Sequence, residues 1–164
     1  SGIKSLADMK GKQVSFGSQS STSGHLMPRS FLLQANIEPE KDFKRIAYSG
    51  AHDATIASVV SGKVDAAALD ITVWQKFVTE NKVNTQDVNV FFTTPPYFNY
   101  NWSVHVDMPV QQREKIKAAL LGLNPANPEH AEILKLNRAT RYVATTPENY
   151  KGLESAARSA GLLQ

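Results

Sequence analysis

Residues 13–27 read QVSFGSQSSTSGHLM, and this stretch decides the fold that we predict. Its first four residues, Gln13 to Phe16, are β-prone, and a run with helical spacing of apolar residues extends from Ser23 to Asn36. Small hydroxyl residues and Gly24 stand between the two. A short strand that passes directly into a helix predicts the first half of a parallel crossover unit.

The same alternation continues to about residue 95. The further predicted elements are, in order, a strand at 45–48, a helix at 52–61 that Gly62 ends, an apolar strand at 64–69, a helix at 72–80 and a strand at 88–92. Strands that alternate with helices of this length predict an α/β fold with a parallel sheet.

The alternation of predicted strands and helices ends at Pro95 and Pro96. An irregular aromatic run at 97–102 leads into a predicted strand at 103–106, and the remaining predicted elements are helices at 109–123, 130–136 and 147–161. Because these helices have no strands between them, we predict a boundary near residues 95 to 100.

Composition excludes several kinds of protein. With 164 residues and 41% apolar content, the chain is long enough to bury a core. The net charge of +3 is small and its cations are scattered, which argues against a nucleic-acid partner. The absence of cysteine excludes disulfides and thiolate chemistry, and no apolar run is as long as a membrane span. Since the chain opens at Ser1 and not at Met, we expect a processed protein or a piece of a longer one.

The junctions between strands and helices point to an anion. In an open parallel sheet the helices begin at the carboxyl ends of the strands, so their N-termini gather at one edge. Three junctions fall there, at 20–24, 49–53 and 69–72. Their unpaired amides, with hydroxyl donors and the His52 ring, form a predicted anion site, and Gly24 would let the anion approach the backbone.

A plainer interpretation stays open on the residues alone. One of the hydroxyls at 20–23 would then be an N-cap, and His52 a surface or capping residue. Asp53 and Asp70 would be first-turn acids that complement helix dipoles, and the aromatic side chains of 97–102 would pack in the core.

The sequence lacks the motifs of nucleotide-binding loops, serine hydrolases and metal sites. No Gly-Lys-Ser/Thr, GxGxxG or GxSxG sequence occurs, and the histidines lack the spacing of a metal site. We therefore expect no metal and no cofactor.

The order of several segments resembles the phosphonate/phosphite-binding family of ABC-transporter solute-binding proteins. The segments are Leu6–Lys12, Val14–Gly17, Ser20–Arg29, Tyr48–Ala54 and Gly62–Ala67. The pairing of Ser-Thr-Ser-Gly at 21–24 with Gly-x-His-Asp-Ala at 50–54 is the most specific part. The resemblance covers almost the whole chain.

This resemblance implies a type II periplasmic binding fold, in which two α/β lobes close around a ligand. Residues 9–95 would form the second lobe, a parallel sheet with βα crossovers, and 96–164 a mostly helical return segment that completes the first. The N-terminal part of the family's sequence would be absent, and the surface left by a missing lobe makes self-association of this fragment an expectation.

The resemblance also implies a function and a site. Ser20, Ser21, Thr22, Ser23 and His52 would bind a small phosphorus oxyanion, such as phosphite or a phosphonate, for delivery to an ABC permease. Where relatives hold an ammonium group with acids, this chain has Thr72 and Tyr100, with Asp70 nearby, so a ligand without an ammonium group fits better. Such a protein is not an enzyme and is periplasmic, or lipid-anchored in a Gram-positive source. The alternatives are a ligand-sensing domain of a signalling protein, a serine hydrolase with a serine near 21 and His52 as its base, and a structural protein without a small ligand.

Overall fold

A computed structural model describes residues 2–163 of the chain. These residues form two compact units, one made of the residues up to Asn99 together with those from Tyr150 onward, the other of Tyr100–Asn149. The prediction that 9–95 and 96–164 belong to different lobes of a larger protein stays a prediction.

The first unit is built on a three-stranded parallel sheet. Its strands are β1 (Gln13–Phe16), β2 (Arg45–Tyr48) and β3 (Ala66–Ala67), in the order β2-β1-β3. In the register of the sheet, Val14 of β1 lies opposite Ile46 of β2 on one side and Ala66 of β3 on the other. The sequence therefore predicted β1 and β2 with their observed bounds, and the parallel sheet is confirmed.

Helices follow each strand. They are α1 (Met27–Gln34), α2 (Pro39–Asp42), α3 (His52–Val60), α4 (Ile71–Thr79), α5 (Val110–Leu121), α6 (Pro128–Leu136) and α7 (Lys151–Ser159). A π-helical turn at Thr22–Leu26 precedes α1, and 3-10 turns occur at Ala7–Met9 and Pro147–Tyr150. No helix among residues 2–163 is both long and apolar enough to cross a bilayer.

The core of the first unit surrounds the central strand. Val14 and Phe16 of β1 are fully buried and pack with Leu32 of α1, Ile37 and Phe43. A strand with neighbours on both sides and helices against it is covered on both faces, which explains why its apolar residues are almost inaccessible. The carboxyl end of β1, where the hydroxyl-rich loop begins, is therefore held in the core.

The end of the chain packs on the start of α1. Ala156 and Ala157 of α7 are buried against Leu26 and Met27. Small alanine side chains let two helical segments approach closely, so α7 packs against the turn that follows β1.

Two predicted strands do not form. Residues 88–92 have no regular structure, and Val90 and Phe92 are 47% and 42% exposed. A fourth strand would need an edge to pair with, but β3 is only two residues long. Residues 103–106 also have no regular structure, and within the second unit no strand is described that would pair with them. β-Prone residues do not make a strand where no ladder partner is available.

Candidate anion-binding site

The loop after β1 is closed by two glycines and a serine. Ser21 caps the π-helical turn, since its Oγ accepts a hydrogen bond from the Gly24 amide at 3.1 Å. The Gly24 carbonyl accepts from the Gly17 amide at 2.8 Å. A Cβ on Gly24 would lie 2.9 Å from Ser21 Oγ and 3.2 Å from Gly17 Cα. Gly24 therefore allows close packing of the loop on itself, and the expected approach of an anion to its backbone stays a prediction.

Three hydrogen-bond donors of this turn are open. Among residues 2–163, neither the amides of Thr22 and Ser23 nor the Thr22 hydroxyl has a hydrogen-bond partner. First-turn amides have no carbonyl within their own helix to bond, and they carry the positive end of the helix dipole. The turn thus presents a group of donors without acceptors at the carboxyl end of β1.

The second junction is fastened to the first through the backbone. The Ser49 amide donates to the Phe16 carbonyl at 3.0 Å, and the Gly50 amide donates to the Gly17 carbonyl at 3.2 Å. Gly50 has a φ of 82°, which a residue with a side chain rarely adopts. This turn places the start of α3, and His52 as its first residue, beside the loop after β1.

The third junction is organised by Asp70, which is only 6% exposed and caps α4. Asp70 Oδ1 accepts from the Thr72 amide at 2.8 Å and from the Thr72 hydroxyl at 2.6 Å, and Oδ2 accepts from Asn99 Nδ2 at 3.2 Å. The Ser23 side chain also interacts with this carboxylate. Burial opposes ionisation of Asp70, but the hydrogen bonds from Thr72 and Ser23 outweigh it and lower its pKa.

His52 is oriented by the backbone of Asp70. The Asp70 amide donates to His52 Nδ1 at 3.5 Å. Because a ring nitrogen that accepts carries no proton, the proton of neutral His52 lies on Nε2. Nε2 makes no hydrogen bond among the described residues, so it is a further open donor.

The structure brings six of the eight predicted site residues together. Ser23, in the same loop as Ser21 and Thr22, interacts with Asp70, and hydrogen bonds join Asp70 to Thr72 and His52. The Thr72 hydroxyl donates to Asp70, so its proton is not free for a ligand, and the Ser23 side chain interacts with the same carboxylate. The direct ligand contacts predicted for Ser23, Thr72 and Asp70 stay predictions, but the geometry favours a positioning role for these side chains.

The other two predicted residues are Ser20 and Tyr100. Ser20 is exposed, and its hydroxyl makes no hydrogen bond within residues 2–163. Tyr100 begins the second unit, where its side chain is 71% exposed. Their roles as ligand contacts stay predictions.

Sequence reasoning missed His25 and Asn99. His25 is 4% exposed, its ring lies 4.8 Å from that of Phe16, and its Nδ1 is hydrogen-bonded to the Gln19 carbonyl. Its position next to buried Leu26 was the available signal, because a histidine beside an apolar residue at a helix start is a candidate for burial. Asn99 lies in an irregular aromatic run and has no sequence signal.

The arrangement differs from that of a serine hydrolase. In a catalytic triad the histidine donates from Nδ1 to a carboxylate and accepts a serine proton at Nε2. Here Nδ1 accepts an amide proton, and among the described residues no serine hydroxyl bonds to His52. Nor do the described residues include a group of three metal-ligating side chains that would hold an ion.

Comparisons with known proteins agree on one family. A family model described as ABC transporter, phosphonate, periplasmic substrate-binding protein matches residues 1–150. The probable ABC transporter phosphite binding protein PhnD1 of Prochlorococcus marinus (strain MIT 9301) is 38% identical over 164 residues. That alignment covers 96% of this chain and 55% of the relative, so the chain spans about half of the relative's length.

Solved structures confirm the α/β class. The structure of PhnD1 from Prochlorococcus marinus (MIT 9301) in complex with methylphosphonate has a TM-score of 0.86 and 36% identity, covering 99% of this chain and 62% of that one. A binding protein component of an ABC phosphonate transporter from Pseudomonas aeruginosa has a TM-score of 0.73. At 20% identity, over 98% of this chain and 54% of that one, it supports the fold alone. The chain therefore belongs to the phosphonate-binding family of periplasmic substrate-binding proteins of ABC transporters.

Proposed function

We propose that this chain binds a small phosphorus oxyanion at the carboxyl edge of its sheet and, in the full-length protein, delivers it to an ABC importer. The observation that carries the proposal is the group of open donors: the amides of Thr22 and Ser23, the Thr22 hydroxyl and His52 Nε2. All of these groups donate, and they belong to two helix N-termini, so the chemistry that satisfies them is an anion with several oxygen acceptors.

The ligand is small and lacks an ammonium group. A ligand ammonium is best held by an accepting carboxylate, but Thr72 and Asn99 already occupy three of the about four acceptor positions of Asp70. The relative from Prochlorococcus marinus is named as a phosphite binding protein, and its structure contains methylphosphonate. Phosphite and methylphosphonate are therefore the ligand class that we propose for this chain.

Four neutral donors are sufficient for useful affinity. A partly buried helix N-terminus contributes up to about 2 kcal/mol, and a hydrogen bond to a charged group about 1.5 to 3 kcal/mol. A micromolar dissociation constant corresponds to about −8 kcal/mol, which these donors reach after the entropy of association is subtracted. Because no lysine or arginine takes part, release to a transporter remains easy.

The proposed partner is the membrane permease of an ABC importer, and the proposed location is extracytoplasmic. Both follow from the family, whose description names a periplasmic substrate-binding protein. A lipid anchor in a Gram-positive source belongs to the same proposal, as does self-association of this fragment.

The test is calorimetric titration of the full-length protein with phosphite, methylphosphonate, 2-aminoethylphosphonate, phosphate and sulfate. We expect binding of phosphite or methylphosphonate, and weaker binding of the ammonium-bearing ligand. The variant His52→Ala should lose affinity, whereas the control His105→Ala, which removes a side chain that is 78% exposed in the second unit, should not. No binding of any phosphorus anion, or equal affinity of His52→Ala and the wild type, would contradict the proposal.

A further inference from the structure

A buried carboxylate stands within a site made of anion-binding donors. Asp70 contacts Ser23 through its side chain and His52 through its amide, and both residues contribute open donors to the proposed site. A ligand that accepts from the Ser23 amide and from His52 Nε2 therefore binds to two residues that each interact with Asp70. No part of the anion-binding function requires a negative charge at this place.

The hydrogen bonds of Asp70 favour its ionised form. Its two oxygens accept from the Thr72 amide, the Thr72 hydroxyl and Asn99 Nδ2. An ionised carboxylate only accepts, so these donors match the charged form, whereas a protonated oxygen would have to face one of them.

The charge of Asp70 is not cancelled by a permanent cation. The titratable group that interacts with it is His52, on α3. The side chains that reach it from the other elements are neutral: Ser23 from the turn after β1, Thr72 from α4 and Asn99 from the segment before the second unit. Among the described residues no lysine or arginine therefore offsets the negative charge of Asp70.

A fixed charge repels a doubly charged ligand twice as strongly as a singly charged one, and the effect is large where water is excluded. The second ionisation of phosphorus oxyacids occurs near neutral pH, so both charge states of the ligand are available there. We propose that Asp70 is a specificity-determining residue, which makes the site select the singly charged form of its phosphorus oxyanion against the doubly charged form. This inference rests on the proposed function and adds the charge state of the ligand to it.

The test is calorimetric titration of the full-length protein with methylphosphonate between pH 7 and pH 9. In the wild type the dissociation constant should rise about tenfold per pH unit above the second pKa of the ligand, because only the singly charged fraction binds. The variant Asp70→Asn keeps the N-cap. Its slope, defined as the change in the logarithm of the dissociation constant per pH unit, should be at least threefold smaller than that of the wild type. Asp70→Ser keeps the cap with a different side chain and should behave in the same way.

Asp65→Asn is the matched control. Asp65 also accepts a backbone hydrogen bond, from the Gln13 amide at 2.8 Å, but it lies at the opposite end of the sheet. Asp65→Asn should therefore show the same dependence of the dissociation constant on pH as the wild type. Hypophosphite, which carries one charge throughout this range, should bind the wild type with a dissociation constant that does not rise with pH.

Two results would overturn the inference while leaving the proposed function in place. They are a wild-type affinity for methylphosphonate that does not fall with pH, and equal slopes in the wild type and the folded Asp70 variants. Failure of the wild type to bind methylphosphonate or phosphite at any pH would instead overturn the proposed function, and this inference with it.

Discussion

Nδ1 of His25 lies 2.6 Å from the carbonyl oxygen of Gln19. The ring packs tilted against Phe16 and edge-on against Tyr48, whose hydroxyl is 3.3 Å from Nε2. Nδ1 therefore donates to the loop carbonyl, and Nε2 accepts from the tyrosine. The buried His25 ring thus holds the loop after β1 at Gln19, three residues before Thr22.

This burial makes stability depend on pH. Burial lowers the pKa of His25, and Arg29 lowers it further, against the opposing effect of the Gln19 carbonyl. The unfolded chain therefore binds a proton at higher pH than the folded chain, so the stability that neutral His25 contributes is present above about pH 6.5 and is lost as pH falls below it.

We expect the thermal midpoint to decrease between pH 7 and pH 5, and to decrease less in His25→Asn, which keeps a donor for Gln19. Carboxylates with lowered pKa values, such as Glu40, lose their contribution only below about pH 4.5. The control is His105→Asn, because His105 is exposed. Parallel curves for His25→Asn and the wild type would show that this ring does not cause the dependence.

The sequence predicted the framework of the site better than its details. The bounds of β1 and β2 and the start of α3 at His52 followed from apolar runs and from Gly50 and Gly62, because local preference and tertiary packing agree there. The prediction of a strand at 88–92 is wrong. Apolar residues favour a strand, but they cannot supply the edge of a sheet with which it must pair.

Inside the site, sequence position indicated which residues meet but not what each does. The predicted junctions between strands and helices placed Thr22, His52 and Asp70 at one edge of the sheet, and the structure agrees. Whether a hydroxyl is open or committed depends on neighbours distant in sequence. The Asp70 carboxylate, for example, accepts a hydrogen bond from Asn99, 29 positions away.

The packing of Gly24 predicts a cost for its substitution. In Gly24→Ala the new methyl group would displace Ser21 Oγ from its capping bond and press on the Gly17 backbone. We expect the free energy of unfolding to decrease by about 1 to 3 kcal/mol, as for an overpacked core. The control Gly152→Ala lies in α7 with no atom within 4 Å of the added Cβ, and should increase it by up to about 1 kcal/mol. Denaturation with urea measures both, and equal stability of Gly24→Ala and the wild type would contradict this account.

The open hydroxyl of Thr22 predicts a variant that loses binding without losing stability. Thr22→Val keeps the shape and removes a donor that has no partner among residues 2–163. One hydrogen bond to a charged ligand is worth about 1.5 to 3 kcal/mol, so we expect phosphite or methylphosphonate to bind about tenfold to a hundredfold more weakly. The thermal midpoint should hardly change.

Thr79→Val provides the comparison for this variant. The Thr79 hydroxyl donates to the Gln75 carbonyl at the far end of α4, so its removal should leave the affinity as it is. A Thr22→Val protein that binds with wild-type affinity would mean that the ligand does not use this hydroxyl.

The tautomer of His52 predicts which amide can replace it. The amide group of glutamine reaches the place of Nε2, whereas that of asparagine reaches only the place of Nδ1. If the ligand accepts a hydrogen bond from Nε2, His52→Gln keeps that donor and loses only the long 3.5 Å bond from the Asp70 amide. His52→Asn keeps the acceptor for that amide and loses the ligand contact.

We therefore expect His52→Asn to weaken binding of methylphosphonate by about tenfold or more, as the loss of a charge-assisted bond predicts, and His52→Gln to weaken it less. Calorimetric titration at a single pH measures both variants, and thermal unfolding without ligand shows whether either change disturbs the start of α3. The opposite order, with His52→Asn the tighter binder, would assign His52 the role of holding the Asp70 backbone and would remove it from the set of ligand donors.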